Sequence, residues 1–104
     1  MIRTLALIRR RPDLDREAFR DHYERRHVPL ALPLLEGLVQ YARHHVEREL
    51  FGEAGCDVLT AFAYRDREAI DRTVAKLAGE AGAAVREDEM RFICLLYTSD
   101  AADE

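Results

Sequence analysis

The chain has 104 residues, 48% hydrophobic and 35% charged, with 16 Lys and Arg against 20 Asp and Glu and a formal net charge of -4. That length allows one domain with a modest core, and the composition is that of a globular chain rather than a disordered or fibrous one. The acidic balance argues against a nucleic-acid partner, no apolar run reaches the ~18 residues of a membrane span, and Cys56 and Cys94, without CxxC spacing, offer neither a disulfide framework nor a zinc site.

Met1 to Ile8 is rich in apolar and β-favouring residues and breaks into Arg9-Arg10-Arg11-Pro12. It reads as a buried strand that ends in a basic turn, and it lacks the pattern of a signal peptide, so the expected setting is the cytoplasm. Asp15 is a natural helix N-cap, because its carboxylate accepts from the free amides of the next turn. Phe19, Tyr23 and His27 follow at spacings of four and share one helix stripe. Pro29 is expected to stop that helix near Val28. Leu30 to Leu35 reads as one more helical turn.

Leu38 to Glu47 alternates as a second strand, with Val39, Tyr41, Arg43 and His45 on one face. Arg48 to Cys56 is a loop, and Asp57 to Tyr64 a third strand. Asp66 caps a second helix with a core stripe of Ile70, Val74 and Leu77, closed by Gly79 and Gly82. Arg86 to Glu89 is polar, and Arg91 to Thr98 can supply a last strand. Strand, helix, strand, strand, helix, strand is the ferredoxin-like βαββαβ order of an α+β domain, an antiparallel sheet with two helices on one face. The uncovered face, expected to carry Tyr41, Phe62 and Tyr64, is costly to leave wet. A second copy related by a two-fold axis would cover it, so a homodimer is expected.

Ile8-Arg9-Arg10-Arg11-Pro12, then Leu14 to Phe19, Tyr23 and His27-Val28-Pro29-Leu30 resemble the opening of the EthD domain. That opening is a strand with a basic Pro turn, a capped helix with a Phe, and a His-x-Pro step. Gly37 to Tyr41, Asp57, Asp66 to Ile70 and Asp88 to Phe92 extend the resemblance over residues 2–93. It implies a dimeric α+β barrel whose two sheets face each other around a cavity. It also implies action on small aromatic or polyketide-like molecules, often without metal or organic cofactor, and a link to ether degradation beside an oxygenase. Under that resemblance the chain is either an oxidoreductase- or isomerase-like enzyme or a non-catalytic accessory module that binds a ligand. One departure is Ala61, where the family commonly has an acidic residue. Residues 94–104 resemble translated sequencing-adapter DNA, so residues 1–93 are taken as the domain and the native last strand as truncated or replaced.

His27 is the leading candidate for chemistry. An imidazole exchanges protons near neutrality, and the competing reading is a helix C-cap. Tyr23, one turn earlier, can bond a substrate oxygen or serve as a core aromatic. Tyr41, Phe62, Tyr64 and Phe19 are the candidate lining of an apolar pocket between sheet and helices for a small hydrophobic or aromatic molecule, with a dimer interface an equally natural place for Tyr41 and Tyr64. His44 and His45 point to opposite faces and cannot share a metal; His22 and Arg26 read as a wet face. The basic patch of Arg9, Arg10, Arg11, Arg25 and Arg26 is expected either to steer an anion or to pair with Asp13, Glu17 and Asp21. No metal or cofactor motif is present.

Overall fold

A computed structural model describes residues 1–47 and 55–102. Strand β1 (Ile2–Arg10) leads to helix α1 (Arg16–His22), which runs through a π-helical turn (Tyr23–His27) into α2 (Val28–Ala31). Strands β2 (Leu38–His45) and β3 (Val58–Tyr64) follow, then helices α3 (Arg67–Ala78) and α4 (Ala83–Phe92) and strand β4 (Ile93–Ala102). The strands form one antiparallel sheet in the order β2-β3-β1-β4. This is the α+β, ferredoxin-like arrangement expected from the element order. The β4 position is filled, with Leu96 opposite Ile8 and Ile93 opposite Arg10. The expected loop from Arg48 falls mostly outside the described residues.

Both N-caps form as read. Asp15 accepts from the Ala18 amide at 2.7 Å, and Asp66 from the Ala69 amide at 2.8 Å. Pro29 does not stop the first helix, contrary to expectation. The turn before it widens so that the Val28 N–H bonds the Tyr23 carbonyl, five residues back, and α-helical bonding resumes with Leu32 to Val28. A proline ring collides with the carbonyl four residues before it in a regular helix, and the wider turn relieves that contact. The same turn keeps Tyr23 and His27 on one buried face, their ring centroids 5.6 Å apart.

Helix α4 is the main element that the sequence reading lacked. Val85, Asp88 and Phe92 are its buried positions, at helical spacing, but the charged residues between them mask the stripe. Gly82 is required at the reversal into α4, because a Cβ there would run into the Leu77 backbone. Gly37 makes the turn into β2 with φ +63°, a conformation that favours glycine. In α3 the buried residues are Ala69, Ile70 and Thr73; Val74, expected in the stripe, is 58% exposed.

The register also corrects the assignment of faces. Thr4, Ala6 and Ile8 of β1 lie opposite Phe62, Thr60 and Val58 of β3, and Tyr41 lies opposite Phe62. Thr4, Ala6, Ile8, Thr60 and Val58 are buried, so this parity faces the helices. Tyr41, Phe62 and Tyr64 therefore sit under the helices, not on the open face. The open face carries Leu5 and Leu7, 37% and 40% exposed, together with Leu59, Ala61 and Ala42. Alternation separates the two parities but does not say which one is covered when both are apolar.

Candidate functional site

The π-turn and α4 meet at a buried carboxylate. Asp88, 2% exposed, bonds His27 Nδ1 through Oδ2 at 3.0 Å and His22 Nε2 through Oδ1 at 2.9 Å. Burial on its own would raise the Asp88 pKa, but the hydrogen bonds from His22 and His27 outweigh it and hold the group below its ordinary value. Asp88 is thus ionised near neutrality and can only accept, so Nδ1 of His27 carries the proton. Burial holds His27 itself below its ordinary value, against the opposing pull of Asp88. The result is a neutral imidazole, held by Asp88 at one nitrogen, with Nε2 unpartnered among the described residues. His27 is not a helix C-cap.

Phe92, with no exposed surface, fixes this arrangement. It stacks on His22 with centroids 4.7 Å apart and lies 4.9 Å from His27. On the sheet side, the Tyr23 hydroxyl shares a 2.8 Å hydrogen bond with Thr60 Oγ1 and accepts from the Tyr41 hydroxyl at 3.4 Å. Burial raises the pKa of both phenols. Phe62 stacks on Tyr41 at 4.8 Å, and the Arg43 guanidinium lies 4.5 Å from the centre of the Tyr41 ring. Glu24 secures this edge by accepting from Arg43 at 2.7 Å and bonding His45 at 2.8 Å.

Between sheet and helices lies a cavity of about 240 Å^3 with a mostly apolar wall. Tyr23, His27, Tyr41, Phe62 and Tyr64, all singled out from the sequence, line it. Phe19 does not; it is a core residue behind Tyr23 and Phe92, at 6.2 Å and 5.6 Å. The hydroxyls of Tyr23 and Tyr41 are engaged with each other and with Thr60, whereas that of Tyr64 has no hydrogen-bond partner among the described residues. Burial pushes the Tyr64 phenol up to about 12.

The sequence reading missed three residues of this site. Asp88 lay in a stretch read as merely polar, and only a helix there brings it to His27. His22 reads as wet by periodicity but is half-buried against Asp88. His45 is tied to Glu24, whereas His44 is exposed. In the basic patch, ion pairing takes up Arg10, Arg11 and Arg25, while Arg9 donates to the Gly55 carbonyl at 3.0 Å. Arg10 pairs with Asp57 at 3.2 Å, Arg11 with Asp13 at 3.2 Å, and Arg25 with Asp21 at 2.9 Å. Among the described residues no group of three His, Cys, Asp or Glu side chains is gathered to hold a metal ion, and no helix is long and apolar enough to cross a membrane.

Fold and site together define a ferredoxin-like α+β domain with an apolar cavity and an oriented histidine. The family model of the EthD domain matches residues 11–95. The chain belongs to the EthD domain family. Its fold is similar to that of an ethyl tert-butyl ether D (EthD) family protein of Bacillus halodurans, with TM-score 0.72 and 24% identity over 100% of both chains. It is also similar to a dimeric protein of ferredoxin-like fold from Bacteroides fragilis (TM-score 0.67, 5% identity, 98% of this chain and 95% of that one). A candidate antibiotic biosynthesis monooxygenase of Bacteroides thetaiotaomicron has TM-score 0.64 and 17% identity over 98% of this chain and 88% of its own. No curated protein sequence matches the chain significantly.

Proposed function

We propose that the cavity binds a small hydrophobic or aromatic molecule and that His27 moves a proton on it. The observation that carries this reading is the anchoring of His27 Nδ1 on buried Asp88, at 3.0 Å, while the ring lines the cavity. Nε2 takes a proton from an enolisable C–H or a phenolic O–H of the ligand, and the imidazolium so formed is stabilised by Asp88 until the proton is returned to another position. Tyr64 is the hydroxyl left to hold a ligand oxygen, in place of Tyr23 and Tyr41. The apolar wall strengthens these few polar contacts by excluding water.

The second reading, a ligand-binding accessory module, rests on the two phenols that bond one another rather than project a donor. Ala61 does not bear on the choice within one subunit, because it lies opposite Leu5 and Ala42 on the open face, away from the cavity. The dimer is likewise our inference, supported by exposed Leu5 and Leu7 and by the dimeric neighbour of like fold. The proposed setting is cytoplasmic.

The test uses para-hydroxyacetophenone, a ring of suitable size with both a phenol and an enolisable methyl ketone. Binding is followed by calorimetry, and exchange of the methyl hydrogens for deuterium by NMR. The enzyme reading expects binding and accelerated exchange, with exchange lost and binding kept in His27→Gln. Binding without exchange supports the accessory reading, and exchange unchanged in His27→Gln removes His27 from the chemistry.

A further inference from the structure

We propose that Glu89 makes this cavity selective for neutral, oxygen-bearing aromatic molecules over their carboxylates, an inference that rests on the cavity being a ligand site. Glu89 follows Asp88 on α4 and stands one turn after Val85, and both Glu89 and Val85 belong to the cavity wall. It is half-buried and forms no ion pair or hydrogen bond with any described residue. Burial, reinforced by the negative charge of Asp88, pushes its carboxyl above the ordinary value, while Arg86 pulls the other way. Arg86 is exposed, and its guanidinium donates to the carbonyls of Leu77 and Gly79. Among the described residues no Lys or Arg lines the cavity.

Those facts set the kind of guest. A ligand carboxylate would enter a pocket whose described lining offers no Lys or Arg, next to the Glu89 carboxyl and with ionised Asp88 behind His27. A buried charge without a counter-ion is strongly disfavoured. A neutral ketone or phenol meets complementary partners instead. The Tyr64 hydroxyl can donate to a ligand oxygen, and Nε2 of His27 and the Glu89 carboxyl can accept from a ligand hydroxyl. The wall around them is aromatic and aliphatic, suited to a single ring.

The test compares three probes on one ring, para-hydroxyacetophenone, para-hydroxybenzoate and para-hydroxyphenethylamine, by calorimetry near neutral pH. The native chain is expected to bind the ketone at least about tenfold more tightly than the carboxylate, a difference of ~1.4 kcal/mol. Glu89→Gln keeps the volume and a polar group but carries no negative charge, so it should retain the ketone and narrow that ratio to below about threefold. Carboxylate bound as well as ketone by the native chain overturns the proposal, as does a ratio unchanged in Glu89→Gln. The amine binding most tightly would make Glu89 a counter-ion for cations and overturn it too. The native-chain comparison decides the matter even if the variant fails to fold. All three probes binding alike defeats this proposal but leaves the cavity a ligand site; none binding defeats both.

Discussion

His27 and Asp88 lie 61 residues apart in the chain and 3.0 Å apart in the fold, joined through Nδ1 and Oδ2. The contact requires both irregular pieces of the helix layer: the π-turn that carries the first helix past Pro29, and the α4 helix that follows the Gly82 reversal. It fixes which nitrogen of the imidazole holds the proton, and so which nitrogen the cavity sees.

Removing that carboxylate should cost stability. Asp88→Ala strips the partner from two histidine nitrogens around Phe92, and hydrogen bonds to a buried charged group contribute more than neutral ones. The unfolding free energy should fall by roughly 2–4 kcal/mol, measured by urea denaturation. Asp88→Asn keeps the volume and should cost less, yet it no longer compels Nδ1 to hold the proton, so exchange of para-hydroxyacetophenone should slow even where the fold survives. A fully stable Asp88→Ala chain with unchanged exchange would contradict the assignment.

The site also predicts how stability responds to acid. His27 is held below its ordinary value of 6.5 by burial, so the unfolded chain takes up a proton there that the folded chain resists. Stability contributed by neutral His27 is therefore present above about pH 6.5 and declines as pH falls below it. Asp88 and Glu24 are held low, below 3.8 and 4.5. Their contribution is complete above those values and is lost as pH falls through the lower folded-state values. Urea midpoints taken between about pH 7.5 and about pH 3 should show an early decline and a later, steeper one. His27→Gln should flatten the early part alone.

Thr60 is wholly buried, and the Tyr23 hydroxyl is its hydrogen-bond partner at 2.8 Å. Tyr23→Phe strands that hydroxyl and should cost about 1–2 kcal/mol. Thr60→Val alone leaves Tyr23 with the longer bond to Tyr41. In the double variant both polar groups are gone, and the loss should be smaller than the sum of the singles by roughly 1 kcal/mol. Strict additivity in the double-mutant cycle would show that this hydrogen bond contributes nothing of its own.

Much of this arrangement could be read from the residues. Asp15 and Asp66 announce the helix starts because N-capping is local chemistry, and the stripe of Phe19, Tyr23 and His27 fixes the buried face of the first helix because i, i+4 spacing survives a single widened turn. Strand alternation correctly groups Tyr41, Arg43 and His45. What alternation could not supply was the covered face, since Leu5 and Leu7 make the outer parity of β1 as apolar as the inner. Asp88 is hidden in the sequence for a related reason. A lone buried carboxylate inside Arg86 to Arg91 looks like a solvated run until tertiary contacts give it two histidines. His22 reads as wet from the sequence because ring stacking on Phe92 is a long-range contact with no local pattern.

The open face yields the last expectation. Leu5 and Leu7 of β1 stand exposed beside Leu59, Ala61 and Ala42, an apolar patch on the side of the sheet that the helices leave bare. Apolar area stabilises by about 25 cal/mol per Å^2 when it leaves water, so a few hundred Å^2 per subunit amounts to several kcal/mol. Part of that is spent on the lost freedom of two molecules. The chain should therefore sediment as a dimer at micromolar concentration. Leu7→Lys places a charge in the centre of the buried patch and leaves the cavity side untouched, so it should yield a folded monomer with an unchanged circular dichroism spectrum. A native chain that sediments as a monomer would show that this face stays in water. A Leu7→Lys chain that remains dimeric would move the interface elsewhere on the molecule.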